Sequence, residues 1–154
     1  LLTNGVYIKG PGSNFFQVDV TPAATRLASH YDQVVFFNTQ TSTFNSIQVK
    51  NVYNYSDAKA KENIQSLSQS LSILKLLRPV SYNFTDNSDN TKFRKGGDGK
   101  EIGLLAQEVE QVLPNIVLTD PDGNKLINYT SLIAVLIDAV KDLNEKVSAL
   151  EAQQ

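Results

Sequence analysis

A serine and a lysine five residues apart, Ser56 and Lys61, are the pair in this sequence whose side chains best suit covalent chemistry. A serine hydroxyl becomes a good nucleophile when a neighbouring base takes its proton, and an unprotonated lysine amine is such a base. The ordinary pKa of a lysine side chain is about 10.4, so a lysine has to be shielded from water or placed beside other cations to be a neutral base at pH 7. Lys59 is a candidate for that second cation. The pair stands between two unlike halves of the chain and indicates a cut site that carries its own catalyst.

The same residues also fit a purely structural role at the start of a helix. As an N-cap, Ser56 would satisfy free backbone N–H groups, and the carboxylate of Asp57 would face the positive end of the helix dipole. The spacing separates the two interpretations, because residues five apart in a continuous α-helix point in different directions. A working pair therefore requires Ser56 to lie outside regular helix. The local sequence leaves both interpretations open.

Residues 1–55 read as short β-strands with few charges. Strands are predicted at 5–9, 14–20, 34–37 and 47–53. The charged residues of this part are Lys9, Asp19, Arg26, Asp32 and Lys50. Such strands make a poor core by themselves. They either pair with copies of themselves in an oligomeric fibre or form an ordinary small β-subdomain.

After the pair, helical and strand patterns alternate, which predicts an α+β domain. Apolar residues at three- and four-residue steps predict a helix over 64–77, which Arg78-Pro79 ends. Strands are predicted at 80–84 and 102–105. Between them, the polar stretch 86–100 is typical of a turn and lacks the ending of a phosphate loop.

A helix and a hairpin follow in this small mixed domain. The helix is predicted over 106–113, where a proline stops it. Asp-Pro-Asp-Gly at 120–123 is a strong turn signal between strands at 116–118 and 125–127. The side chains expected in the core are Tyr82, Phe84 and Leu105.

The C-terminal segment, about 130–152, has the heptad pattern of a self-associating coiled coil. Its a and d positions are Ile133, Leu136, Val140, Leu143, Val147 and Leu150. β-Branched a positions with leucine at d favour two strands. Additional apolar residues in the first half of the helix are expected to pack on the domain; they are Leu132, Val135, Ile137 and Ala139.

Composition excludes several classes of partner and site. The net charge of −2 and the pI of about 5.3 give no reason to expect a nucleic-acid or membrane partner. No apolar run approaches the roughly 20 residues of a membrane span, and the first residues do not form a signal peptide. The chain has no cysteine and a single histidine, His30, so no metal site and no cofactor is expected. Because no methionine begins it, the sequence is expected to be a piece of a longer polypeptide.

Two acidic groups do not support a site. Asp120, Asp122 and Asn124 alternate like the ligands of a calcium loop, but the intervening proline and the missing distal glutamate argue against one. Glu108 and Glu110 are two residues apart on a predicted helix, so they face different directions and make a poor acid–base pair.

Taken together, four blocks resemble a known family: the C-terminal intramolecular chaperone domains of phage tail spikes and tail fibres, the S74 peptidase class. The family motif has Ser-Asp, a basic residue, a lysine five residues after the serine, and Asn-Ile shortly afterwards. The blocks are Ser-Asp-Ala-Lys-Ala-Lys at 56–61 with Asn-Ile at 63–64, Arg-Pro-Val-Ser-Tyr at 78–82, Gly-Leu-Leu-Ala-Gln-Glu-Val at 103–109 with Leu-Pro at 113–114, and Asn-Tyr-Thr-Ser-Leu at 128–132 with Ala-Val-Lys-Asp-Leu at 139–143.

The resemblance implies an intramolecular chaperone that forms a homotrimer through its coiled-coil tail. Residues 56–154 would be the chaperone domain, and residues 1–55 the end of an upstream β-structured passenger of the same polypeptide. The family state is a trimer although the heptads favour two strands, and the globular part can set the number of copies. The passenger would belong to a tail appendage of the virion, and the chaperone part would be made and released in the host cytoplasm.

The resemblance also assigns a site. Ser56 would be the nucleophile and Lys61 the base of a dyad that cuts its own chain once, at the bond Tyr55–Ser56. Lys59 replaces the family's usual arginine, which keeps the charge but loses the planar guanidinium. The supporting motif residues are Asp57, Lys59 and Asn63.

Other functions remain as alternatives. A non-cleaving trimerisation or attachment module of a fibre or surface protein would keep the architecture without the cut. A hydrolase acting in trans is disfavoured, because Ser56 lies beside the bond to be cut in its own chain. The family also occurs in membrane-tethered transcription factors, but the low charge of residues 1–55 is typical of a fibre.

Overall fold

The computed structural model describes residues 5–30, 33–40, 43–84 and 100–153. The chain divides into two compact units, Leu1–Tyr53 and Asn54–Gln154. Most of the polar stretch predicted as a turn at 86–100 lies outside the described residues.

The first unit is built from antiparallel strands. β1 (Gly5–Lys9), β2 (Phe15–Val20) and β3 (Thr25–Ser29) form one sheet in the order β1-β2-β3. Gly12 has a φ of 65°, so the β1–β2 connection uses the left-handed region that glycine enters without strain. A second, two-stranded sheet pairs β4 (Phe37–Asn38) with β5 (Thr43–Phe44).

Three departures from the predicted strands appear in this unit. β3 was not predicted, because its sequence Thr-Arg-Leu-Ala-Ser alternates too weakly to mark a strand. The strand expected at 34–37 is reduced to its last residue, which begins β4. The strand expected at 47–53 is not formed, since none of the described residues pairs with it, and its apolar side chains are exposed. Alternating apolar and polar residues identify a segment that is suited to a sheet, but the strand forms only where a neighbouring strand is available to pair with it.

The second unit mixes short helices with two hairpin-like sheets. After a one-turn 3₁₀-helix (Ala58–Ala60), its elements are α1 (Ser70–Leu74), β6 (Val80–Tyr82), β7 (Glu101–Gly103), α2 (Ala106–Val112), a 3₁₀-helix (Pro114–Ile116), β8 (Val117–Thr119), β9 (Lys125–Ile127) and α3 (Ser131–Glu151). β6 pairs with β7, and β8 pairs with β9, both antiparallel. The α+β class, the strands β6 to β9 and the helices α2 and α3 follow the sequence prediction, although β6 and β7 are shorter than the strands predicted at 80–84 and 102–105. The 3₁₀-helix Pro114–Ile116 was not predicted.

The helix predicted over 64–77 was wrong in extent, because only α1 is helical. Gln69, immediately before α1, has a φ of 63°, a left-handed conformation that cannot continue a right-handed helix toward the N-terminus. Ile64 and Leu67 remain 72% and 51% exposed. Helix formation depends on burying an apolar face, and these two side chains do not bury one in the single chain. α1 also ends before Arg78-Pro79, so the proline is not its stop signal.

The core of the second unit consists of two small clusters. In the first, α2 packs on the β8–β9 hairpin and completely buries Val109. In the second, α1 packs on α3. The buried residues of these two helices are Ser70, Leu132, Val135 and Ala139.

Several core assignments require correction. Phe84 and Leu105, expected in the core, are exposed, while Tyr82 is half-buried and makes an edge contact with the ring of Phe84. Ile137, expected to pack on the domain, is also exposed. Among the helices within the described ranges, none combines the length and apolar character required to cross a bilayer.

Candidate functional site

The site segment begins with a tight turn just after Ser56. Asp57 has extended backbone angles, φ −67° and ψ 132°, and is the N-cap of the 3₁₀-helix. Its Oδ1 accepts a hydrogen bond from the backbone N–H of Lys59 at 3.0 Å, and its carbonyl accepts one from Ala60 at 3.1 Å. The N–H of Lys61 donates to the carbonyl of Ala58 at 3.1 Å and closes the turn.

This turn brings together the two side chains that the sequence singled out. The Nζ of Lys61 donates a hydrogen bond to the Oγ of Ser56 at 2.6 Å. In an α-helix these residues would point apart, but a single 3₁₀ turn between them, with Ser56 still outside the helix, folds the lysine back. Ser56 therefore lies outside regular helix, as the five-residue spacing requires for a contact between the two side chains.

The helix-cap interpretation of Ser56 was wrong. Asp57, one residue later, occupies the N-cap position and supplies the capping oxygen. The capped element is a single 3₁₀ turn and not the start of the predicted longer helix. The hydroxyl of Ser56 is left to contact Lys61.

The remaining motif residues have local roles. Lys59 contributes its backbone N–H to the cap of Asp57. Asn63 has a φ of 52°, and asparagine is one of the few non-glycine residues that occupy the left-handed region at low cost. Tyr55 precedes the turn and is 83% exposed. Asn63 thus redirects the chain after the turn, and the bond Tyr55–Ser56 lies in an exposed segment without regular secondary structure.

Chemistry by this pair depends on the state of the lysine amine. An ammonium has no lone pair, so a lysine acts as a general base only in its neutral form. Both side chains are exposed to solvent in the single chain. In general, removal from water favours the neutral form of an amine.

The glutamates of α2 are engaged in ion pairs on two different sides of the helix. Glu108 accepts a hydrogen bond from Arg78 at 2.5 Å, and this bond and the charge of Glu108 raise the pKa of the arginine above its ordinary value. Glu110 accepts from the Nζ of Lys125 at 2.8 Å. These contacts tie α2 to the segment before β6 and to β9, in agreement with the prediction that the two glutamates do not form an acid–base pair.

Asp120 organises the turn of the β8–β9 hairpin. Its side chain accepts hydrogen bonds from the side-chain amide of Asn124 at 2.9 Å and from the backbone N–H groups of Asn124 and Asp122 at 2.8 and 3.0 Å. The Asn124 amide is the main cause that lowers the pKa of this carboxyl, and the backbone donors add to the effect. Within the described part of the chain, no group of three metal-ligating side chains is found.

A junction that the sequence analysis missed lies between β7 and α3. The hydroxyl of Tyr129 accepts a hydrogen bond from the backbone N–H of Leu104 at 2.9 Å. A Cβ atom added to Gly103 would lie 2.7 Å from that hydroxyl and 3.3 Å from the ring of Tyr82, so any larger residue would have to displace the Tyr129 hydroxyl. The glycine inside a predicted strand was the available signal, because such a residue often marks a close approach.

The six predicted coiled-coil positions lie along α3 and are all exposed in the single chain. They are Ile133, Leu136, Val140, Leu143, Val147 and Leu150. The residues of α3 that are buried against the domain are others: Leu132, Val135 and Ala139.

Comparison with known proteins adds the family. Residues 56–118 match the family model Peptidase_S74, which is described as the chaperone of endosialidase. The chain is 32% identical over 124 residues to the long tail fiber protein Gp37 of Enterobacteria phage K3 and, over the same length, to that of Enterobacteria phage T2. It is 31% identical over 108 residues to Gp37 of Escherichia phage AR1.

These alignments cover 77%, 77% and 67% of this chain. The chain spans 9% of the length of each relative. The match to the family model starts at Ser56, includes the turn and α2, and ends within β8 at Leu118. Through residues 56–118, this chain belongs to the Peptidase_S74 family, the chaperone of endosialidase.

Proposed function

We propose that residues 56–154 act as an intramolecular chaperone that trimerises, assists the folding of an upstream β-structured tail fibre, and then releases itself by cutting Tyr55–Ser56. Ser56 is the nucleophile and Lys61 the base, in one turnover on its own chain. The observation that carries this proposal is the 2.6 Å contact between the lysine amine and the serine hydroxyl.

The reaction is a hydrolysis in two steps. Neutral Lys61 takes the proton of the Ser56 hydroxyl while Oγ attacks the carbonyl carbon of Tyr55, which precedes it in the chain. The C–N bond breaks, the nitrogen of Ser56 receives the proton, and Tyr55 is left as an ester on Oγ. Water then hydrolyses the ester, giving a carboxylate at Tyr55, a free amine at Ser56 and the restored hydroxyl.

Assembly supplies the environment that the single chain lacks. The site is exposed in one copy, whereas a lysine base has to be shielded from water. The exposed a and d residues of α3 form an apolar seam that is suited to self-association, and the resemblance of the sequence motifs implies three copies. If trimer formation dries the site, cleavage follows correct assembly and does not precede it.

The relatives suggest the passenger. They are long tail fiber proteins, and residues 1–55 of this chain contain short strands with exposed apolar side chains. β-Pairing between chains is slow and prone to aggregation, and a trimeric clamp raises the local concentration of the strands that have to pair. Cleavage after pairing removes the reverse path and leaves the fibre kinetically stable. The passenger then belongs to the virion tail, and the released chaperone stays in the host cytoplasm.

The test compares the parent chain with Ser56→Ala and with Ser66→Ala, an exposed serine outside the motif. Intact mass and N-terminal sequencing of freshly expressed protein should give fragments 1–55 and 56–154 from the parent and from Ser66→Ala. The Ser56→Ala chain should stay intact at 17.0 kDa. A fragment that begins at Asp57 would reject the assigned bond, and a cut Ser56→Ala chain would reject the nucleophile.

The second candidate function is a trimerisation module that never cleaves, and the solvent exposure of both dyad side chains favours it. In that case the parent and Ser56→Ala both remain intact and both form the same oligomer. A peptide spanning residues 51–64, added to the purified protein, should stay uncut under both proposals and would be cut by an enzyme that acts in trans.

A further inference from the structure

We infer that Asp57 is a positioning residue for the Ser56 and Lys61 pair: its carboxylate closes the one-turn helix that returns the lysine amine to the serine hydroxyl. The inference rests on the proposed function and deepens it. It assigns Asp57 a role in backbone geometry and none in proton transfer.

The hydrogen bonds of the turn carry the inference. Two of them join backbone groups, from Ala60 to the carbonyl of Asp57 and from Lys61 to the carbonyl of Ala58, both 3.1 Å long. The third, 3.0 Å long, runs from the N–H of Lys59 to Oδ1 of Asp57 and is the one that a side chain supplies. The carboxylate therefore holds the backbone N–H of Lys59 in place, as an N-cap does.

The pair needs this turn to exist. In an extended chain, the Cα atoms of residues five apart are separated by up to about 17 Å, and in an α-helix their side chains diverge. The observed contact between Lys61 and Ser56 spans 2.6 Å. Because the 3₁₀ turn lies between the two residues, any opening of the turn moves the amine away from the hydroxyl.

Little besides the cap stabilises the turn. Starting a helix fixes several backbone angles for one hydrogen bond and is unfavourable by itself. The residues of the turn, like the segment 61–69 that follows, are exposed and receive little support from packing in the single chain. The free energy of the cap therefore largely determines the fraction of molecules in which the turn is formed and the amine of Lys61 contacts the hydroxyl of Ser56.

Asparagine and alanine separate positioning from charge. Asn retains the Oδ1 acceptor and caps helices about as well as Asp, but it carries no charge. Ala removes both. A matched control is Asp120→Ala, which removes the same kind of carboxylate-to-backbone hydrogen bonds from the β8–β9 turn.

The experiment follows the cleavage rate of newly made chains in cell-free translation. Asp57→Ala should slow cleavage by about 2- to 30-fold, the range that corresponds to losing a cap of about 0.5–2 kcal/mol. Asp57→Asn should stay within about twofold of the parent, as should Asp120→Ala. If Asp57→Asn is as slow as Asp57→Ala, the charge matters and the inference is overturned; a parental rate for Asp57→Ala overturns it as well.

A second measurement does not depend on cleavage. In the Ser56→Ala background, amide hydrogen exchange of Lys59 should be faster with Asp57→Ala and unchanged with Asp57→Asn. Equal exchange in all three proteins would overturn the inference. If the parent never cleaves but the exchange pattern appears, the proposed function fails while the positioning role of Asp57 stands.

Discussion

The segment that contains the candidate site and the segment that contains the core differ in the burial of their apolar side chains. Residues 54–69 hold Ile64 and Leu67 in the open, and the dyad contact is made within a single turn. Residues 101–140 bury Val109 completely against a hairpin and pack one face of α3 on α1. The site is thus a product of short-range geometry, and the scaffold is a product of long-range packing.

For the proposed self-cleavage, this difference gives a physical reason why the cut would follow assembly. The contact between Lys61 and Ser56 is made within the single chain, where both residues are exposed to solvent. A lysine base has to be shielded from water, and the local turn does not shield it. In the proposed trimer, the apolar side chains left exposed along residues 54–69 and along α3 are the surfaces that the other copies would cover. The following predictions are ordered from the largest expected effect to the smallest.

Lys61→Arg should abolish cleavage. The guanidinium keeps the positive charge and can still reach the serine, but it is effectively never deprotonated and cannot act as a base. General-base catalysis contributes about 10²–10⁴-fold, so we expect a loss of that size in the single-turnover rate. Lys75→Arg, on an exposed position after α1, is the matched control. If Lys61→Arg cleaves at a rate near that of the parent, Lys61 is not the general base.

Leu143→Asp should separate the copies and slow the cut. A charge at the exposed d position opposes burial in a coiled coil, where each leucine contributes about 1.5–3 kcal/mol. We expect light scattering to report a trimer for the parent and a monomer for the variant, with cleavage at least about tenfold slower. Ser148→Asp, outside the seam of the same helix, should keep the trimer. A monomeric Leu143→Asp chain that cleaves at the parental rate would show that the site needs no partner.

Val109→Ala and Ile64→Ala should differ in how their effects depend on protein concentration. Val109→Ala leaves a cavity between α2 and its hairpin, so the free energy of unfolding should fall by about 1–3 kcal/mol at every concentration. Ile64→Ala should cost less than about 0.5 kcal/mol in the dilute single chain and more when copies associate. Urea titrations at two protein concentrations measure both. Equal, concentration-independent costs would contradict the contrast between the two segments.

Acid should selectively weaken the β8–β9 turn. The pKa of Asp120 is lowered in the folded chain, mainly by the side-chain amide of Asn124. The contribution of this carboxylate to folding stability is therefore complete above its unfolded pKa of about 3.9 and is lost as the pH falls through its folded pKa. Asp120→Asn should therefore be less stable than the parent at pH 7, and the difference should shrink below about pH 4. Thermal melts from pH 7 to pH 2 test this small effect, and a difference that is constant with pH would contradict it.

Several features were determined by local sequence, because their causes act within a few residues. The spacing of Ser56 and Lys61 required a non-helical start, and the structure provides one. Asp-Pro-Asp-Gly at 120–123 predicted the β8–β9 hairpin, and the heptad pattern predicted a long helix close to the observed Ser131–Glu151. Turn chemistry and side-chain periodicity are local properties that the order of residues specifies directly.

Other features were decided only by the tertiary structure. The pattern over 64–77 predicted one helix, yet it shortened to Ser70–Leu74, and the strand expected at 47–53 found no partner among the described residues. Phe84 and Leu105 were expected in the core but are exposed. The hydrogen bond between Tyr129 and Leu104 was not predicted. Periodicity identifies which residues share a face, but burial requires a second surface to cover that face. That surface comes from distant parts of the chain or, as proposed for α3, from other copies.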